Sequence, residues 1–317
     1  MSVSGGVVAP VTRRVRAYFA PVDRVAAVPT VFDAAQEGGF SLDAPPAPWV
    51  DLGWCSGFAR KTGTKVEAVR VGAPATTGSQ VRTEIEATVS LEFESWGKLQ
   101  LALACGSQQM NLLQTTAGAA ANGSGGVAAA AVALSAGSTA TALNVGATVA
   151  AQFSVGDLVA VDVDYGSQVG FVGSGASAAY VRQASDVGGD ANYVRRVTLN
   201  VGQVAGIAAG VLQLSGPLLA GVPTAAMKVS RVAGFVDREG GGFFQEWSGL
   251  FCMDGEQGDR VLYYYPRLQA MQGASEVAEV LTAPLERLRL AGVFRALPVV
   301  DANDGATVVC FRSYLPG

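Results

Sequence analysis

From Thr83 to Glu94 the chain reads TEIEATVSLEFE, and its side chains alternate without a miss. Ile85, Ala87, Val89, Leu91 and Phe93 fall on one side; Glu84, Glu86, Thr88, Ser90, Glu92 and Glu94 fall on the other. A strand sends successive side chains to opposite faces, so this stretch predicts one apolar face and one acidic face. Glutamate is a poor strand former, and like charges along a strand repel. Four carboxylates on one face therefore need a reason.

The same strand runs straight into SWGKLQLALACGS. Ser95 is a helix-capping residue type, and Trp96, Leu99 and Leu103 recur at helical spacing on one side. Gly106 suits the position just past a helix end. The pattern predicts one short helix over about 95–105, packing Trp96, Leu99 and Leu103 against the sheet.

Elsewhere the signals are those of strands and turns. KVEAVRVG (65–72) alternates, APATTGS reads as a turn, and FSVGDLVAVDVDY predicts a turn followed by a strand with Val159, Val161, Val163 and Tyr165 inward. YVRRVTLNV, GVLQLSGPLL and AAMKVSRVAGFVD are further strands, and LRLAGVFRAL with ATVVCFRSYLP predicts a closing hairpin around Asp304-Gly305. The 40 glycines and the 15% of charged residues suit a mainly β protein rich in turns and contact surface.

Three regions follow. Residues 1–48, with six prolines but also Tyr18, Phe19, Phe32 and Phe40, read as an extended arm that orders on a neighbour. Residues 49–113 and 231–317 read as a β-sandwich or barrel core. Residues 114–230 read as an inserted small β module, with Leu134, Leu143, Val145 and Val149 at strand-like spacing. No charged residue occurs between Leu99 and Gly156, a poor solvent surface and a plausible subunit contact.

Chemistry is thinly represented. The chain has no histidine, which removes the commonest general base and zinc ligand. There is no P-loop and no nucleophile elbow, and the glycine-rich 173–178 lacks the strand-to-helix setting of a phosphate cradle. Asp162 and Asp164 share a strand face, and Asp301, Asn303 and Asp304 faintly suggest a calcium loop, but turn chemistry explains the latter better. Glu84 with Glu86, or Glu92 with Glu94, are strand neighbours about 7 Å apart, whereas glycosidase carboxyls usually face each other across a cleft. No catalytic residue, metal or cofactor is expected. Cys55, Cys105, Cys252 and Cys310 form no CxxC pair and read as unpaired thiols. A net charge of −4 argues against a basic nucleic-acid surface. The N-terminus lacks the charge-then-apolar order of a signal peptide, and no apolar run is long enough to span a membrane, so the expectation is a cytosolic product.

The order PAPWVDLGWCSGFARK, strand, TEIEATVSLEFESWGKLQLALACGSQQMNLL resembles the tail tube (major tail) proteins of long-tailed bacteriophages. In that family a DLGW-like stretch near the N-terminal arm precedes strands, and a strand feeds a helix ending in small residues. The closing DANDGATVVCFRSYLP is similar to the family's last hairpin and strand. The resemblance covers 45–113 well and 235–317 loosely, and leaves out 114–230. It implies a structural, non-enzymatic virion protein made in the host cytoplasm. Its partners would be further copies of itself, in stacked sixfold rings, and other tail proteins. DNA would pass through without specific binding. Glu84, Glu86, Glu92 and Glu94 would then face the lumen, where acidic walls repel phosphate, and 114–230 would lie outside the tube. A second class stays open: a secreted or surface β-sandwich binding carbohydrate or another ligand. Oligomeric state separates the two.

Overall fold

The computed structural model describes residues 14–22, 27–106, 108–114, 131–163, 200–218, 221–238, 246–256, 258–271, 276–282 and 285–317. Of the stretches singled out above, residues 1–13 and 115–130, Asp164, Tyr165, the glycine-rich 173–178 and most of YVRRVTLNV lie outside them. In chain order the elements are β1 (Val15–Pro21), α1 (Ala34–Glu37), β2 (Val50–Val71), β3 (Thr76–Phe93), α2 (Lys98–Cys105), β4 (Gln108–Leu113), β5 (Ala131–Ala133), β6 (Ala142–Asn144), α3 (Ala147–Ala150), β7 (Leu158–Val163), β8 (Val201–Ala208), β9 (Val211–Leu214), β10 (Met227–Arg238), β11 (Glu246–Asp254), β12 (Arg260–Ala270), β13 (Glu276–Thr282), β14 (Leu285–Ala296), β15 (Val299–Val300), β16 (Thr307–Val308) and β17 (Phe311–Leu315). The fold is mainly β with short helices. It divides into two compact units, one of 1–22, 29–106 and 244–317, the other of 23–28 and 107–243.

The main sheet of the first unit is antiparallel, in the order β13-β14-β3-β2-β1-β11-β12-β17. It closes on itself, because β14 also pairs with β12 through Leu268↔Ala296 and Ala270↔Phe294. Closure joins the two sides of the sheet and leaves β13 and β17 as its outer strands. Phe19 sits at the centre of the buried interior, edge-on to Phe251 at 6.1 Å and to Phe294 at 5.3 Å, and beside Trp247. Ala87, Val89, Leu91 and Phe93 enter the same core with at most 7% exposure, so the alternation read from the sequence holds over this half of β3.

The described residues of the expected arm, 14–22 and 27–48, pack within the chain. β1 is a central strand, hydrogen-bonded to β2 on one side and β11 on the other. Residues 29–49 fold back over the sheet's second face, where Phe32, Trp49, Tyr18 and Tyr264 form a buried aromatic cluster. The backbone is fixed there by Tyr264 donating to the Thr30 carbonyl (2.7 Å), Tyr18 to Leu42 (2.9 Å) and Arg260 to both Gly38 and Phe40 (2.8 Å each). The aromatics at 18, 19, 32 and 40 find their partners within the chain.

The helix begins at Lys98, later than expected. The Ser95 hydroxyl donates to the Leu52 carbonyl at 3.0 Å instead of capping the helix. Trp96 therefore precedes the helix and is 55% exposed, where burial against the sheet was expected. Leu99 and Leu103 are buried as expected, at 5% and 0% exposure, and Gly106 follows the helix end with φ 62°. Leu103→Ala should lower stability by about 2–5 kcal/mol through the cavity it leaves. Urea unfolding followed by tryptophan fluorescence measures this.

The closing hairpin is also rearranged. β14 and β17 are both present but not paired with each other; β17 pairs with β12. The Asp304-Gly305 turn instead serves the small hairpin β15–β16. The Asp301 carboxylate accepts the Asn303 amide at 2.9 Å and that of Asp304 accepts Ala306 at 2.8 Å, which is turn chemistry.

The second unit has its own core of Leu143, Val145, Phe153, Val159, Val161, Val204, Leu212, Leu214 and Val229. Its strands run β4-β10-β7-β8-β9-β6, with β5 also on β10. The Ser135 amide donates to the Asn144 carbonyl at 2.7 Å, joining the β5 and β6 ends of this sheet by one backbone bond. The unit is wider than the expected 114–230, because β4 and all of β10 belong to it. Gln108 pairs with Arg238, so the strand that enters the unit lies beside the strand that leaves it. Replacing 107–243 by a short Gly/Ser linker should leave the first unit folded, and its native thermal transition is the readout.

Candidate functional site

β2 and β3 form a hairpin far longer than the barrel needs. β1 flanks β2 only along Val50–Cys55, and β14 flanks β3 only along Ala87–Phe93. Between these limits, among the described residues, each strand pairs only with the other. Every residue from Lys61 to Glu86 is exposed. The apolar face expected through Ile85 thus loses its cover at Ala87: Ile85 is 40% exposed.

Two register shifts shape the tip, one between Lys65 and Val66 and one between Val69 and Arg70. Residues opposite each other share a face. Lys61, Gly63 and Lys65 continue the charged face with Glu84 and Glu86, while Thr64 and Ile85 continue the apolar one. Past the first shift the characters exchange. The charged face goes on through Glu67 and Val81 to Val69 and Val71; the apolar face goes on through Val66 and Arg82 to Arg70. The valines at 66, 69, 71 and 81 are 42–55% exposed, so neither side of the tip is covered by its own chain.

The four glutamates that raised the opening question each have a cation. Lys65 meets Glu84 at 3.3 Å, Arg295 meets Glu86 at 3.3 Å, Arg289 meets Glu92, and Arg14 meets Glu94 at 3.2 Å. The uniformly acidic strip expected from the sequence is corrected to a charge-paired one. The cations come from β2, from β14 and from just before β1, strands that the local sequence around Glu84 does not contain. Each pair is solvent-accessible and contributes about 0–1 kcal/mol. Their main effect is to remove the repulsion that would otherwise oppose the strand.

A cleft of about 740 Å³ is lined by Arg14, Leu42, Trp54, Asp254, Gly255 and Glu256. Its polar groups are already engaged: Arg260 holds Asp254 with two hydrogen bonds, Glu94 holds Arg14, and the Arg16 guanidinium lies 5.2 Å from the centre of the Trp54 ring. A polar ligand entering there must displace these contacts.

None of the four cysteines forms a disulfide. Burial pushes the Cys55 and Cys252 thiols up to about 12. The thiolate is the reactive form, so both should resist a thiol reagent at pH 8 in the folded protein and react once it is unfolded. A time course of reagent uptake with and without denaturant tests this.

No protein-family model matches the chain, and no curated protein matches it. Among the described residues, no helix is long and apolar enough to cross a membrane.

Proposed function

We propose that the chain is a structural subunit that assembles with copies of itself into the stacked rings of a tail tube. The observation that carries this reading is the β2–β3 hairpin, whose tip exposes valines on both faces. An apolar surface of this kind on a soluble protein marks an interaction site, and a strand pair is stabilised mainly by what packs on it. The resemblance of 45–113 to tail tube proteins runs through this same hairpin and the strand-to-helix step after it.

In this reading the charge-paired face around Glu84, Glu86, Glu92 and Glu94 lines the channel. Paired charges give passing phosphate neither a strong attraction nor a uniform repulsion, which suits transit without binding. DNA is then cargo and not a ligand, and the other partners are neighbouring tail proteins.

Electron microscopy of the purified full-length protein tests the proposal. Rings or tubes with an open channel are the expected result. A protein that stays monomeric at high concentration in sedimentation experiments counts against it and returns the choice to a monomeric binding module.

A further inference from the structure

We propose that hairpin tips of successive copies pack face on face, with the Glu67 side of one tip against the Arg70–Arg82 side of the next. This rests on the assembly reading above and goes beyond it by naming the two surfaces that meet.

The register supplies both surfaces. One side of the tip carries Val69, Val71 and Val81 around Glu67. The other carries Val66, with Ile85 nearer the base, beside Arg70 and Arg82. Each side therefore holds exposed aliphatic groups and charge of one sign, and the signs are opposite. Glu67, Arg70 and Arg82 take part in no ion pair among the described residues, although Lys65 and Glu84, just below them, pair with each other. The two sides of one hairpin complement each other in both respects.

Charge also selects the geometry. If two copies met by the same side, as in a twofold dimer, Glu67 would face Glu67 or the arginines would face arginines. Like charges brought together at an interface disfavour that contact. Opposite sides meeting give a head-to-tail contact, which repeats from copy to copy and builds rings or filaments. A partner of another kind has no reason to need an acidic apolar side and a basic apolar side back to back on one hairpin. A second copy needs both.

The test uses two charge-reversed forms of the full chain, Glu67→Arg alone and Arg70→Glu with Arg82→Glu. All three positions are exposed, and circular dichroism of each monomer checks that it is folded. In the first form both sides are basic; in the second both are acidic. Sedimentation velocity should show each form needing at least a tenfold higher concentration than wild type to assemble. An equimolar mixture should restore assembly at the wild-type concentration, because each form offers the side that the other lacks. Glu67→Gln, which removes the charge without reversing it, should weaken assembly less than Glu67→Arg. Variants that assemble singly like wild type overturn the proposal, as does a mixture of folded monomers that stays dispersed. Wild type failing to assemble at all is a separate result, since it overturns the tube reading and this inference with it.

Discussion

Cutting the hairpin back to its base is expected to abolish assembly while leaving the barrel folded. The change removes residues 65–84 and joins the paired residues Thr64 and Ile85 through a two-residue Asn-Gly turn, a sequence suited to a tight hairpin. The deleted residues are all exposed, so the barrel core around Phe19, Phe251 and Phe294 loses nothing. The loss falls on contacts between copies. Covering a single valine is worth about 1.5–3 kcal/mol when complete, and about 1.4 kcal/mol is a factor of ten in association. The tip valines are about half exposed already, so losing two such contacts weakens association by roughly 10-fold or more. Sedimentation velocity across a concentration series reads the assembly, and near-ultraviolet circular dichroism reads the core. Tubes that persist at wild-type concentrations would show that the hairpin is not the joint, and that the subunits meet elsewhere.

The second large effect concerns the barrel alone. Glu246, at the start of β11, is almost fully enclosed, with 3% of its side chain exposed. Arg267 on β12 holds it at 2.5 Å, and Gln269 donates to its second oxygen at 3.0 Å. Arg267→Met removes the countercharge and leaves an enclosed carboxylate. Breaking a buried pair in this way costs about 3–5 kcal/mol. Removing both members, as Glu246→Leu with Arg267→Met, should recover most of the loss, because a buried pair exchanged for apolar groups is often close to neutral. Urea unfolding of the two variants beside wild type separates the cases. A single variant as stable as wild type would mean that water reaches Glu246.

These two cases mark where local sequence is informative and where it is not. The alternation from Ala87 to Phe93 is visible because period two has one physical cause, a strand with one buried side. Leu99 and Leu103 were legible for the same reason at helical period, and Gly106 was legible as the residue that accepts a positive φ. Trp96 was misplaced because the Ser95 hydroxyl has two possible roles, accepting from the N–H groups of a helix start or donating to the Leu52 carbonyl, and only the position of β2 decides between them. The arm reading failed similarly over the described residues 14–22 and 27–48. Prolines and weak periodicity describe a backbone without regular structure over much of its length, but not what its aromatics touch.

The charge pattern divides along the same line. Glu84 to Glu94 is a single local run, so its acidity was plain. Its neutralisation was not, because Arg289 and Arg295 lie about two hundred positions later in the chain and become neighbours only when β14 pairs with β3. Their equal parity in LRLAGVFRAL was the one available signal. The bare length of the hairpin likewise followed from two alternating runs around a turn, but its lack of cover did not. Cover depends on where β1 and β14 stop, and the exchange of apolar and charged sides at the tip depends on one extra residue, Thr83, in the ladder. Periodicity determined which residues share a face within a strand; the pairing of distant strands decided which faces are buried, which are neutralised and which are left open.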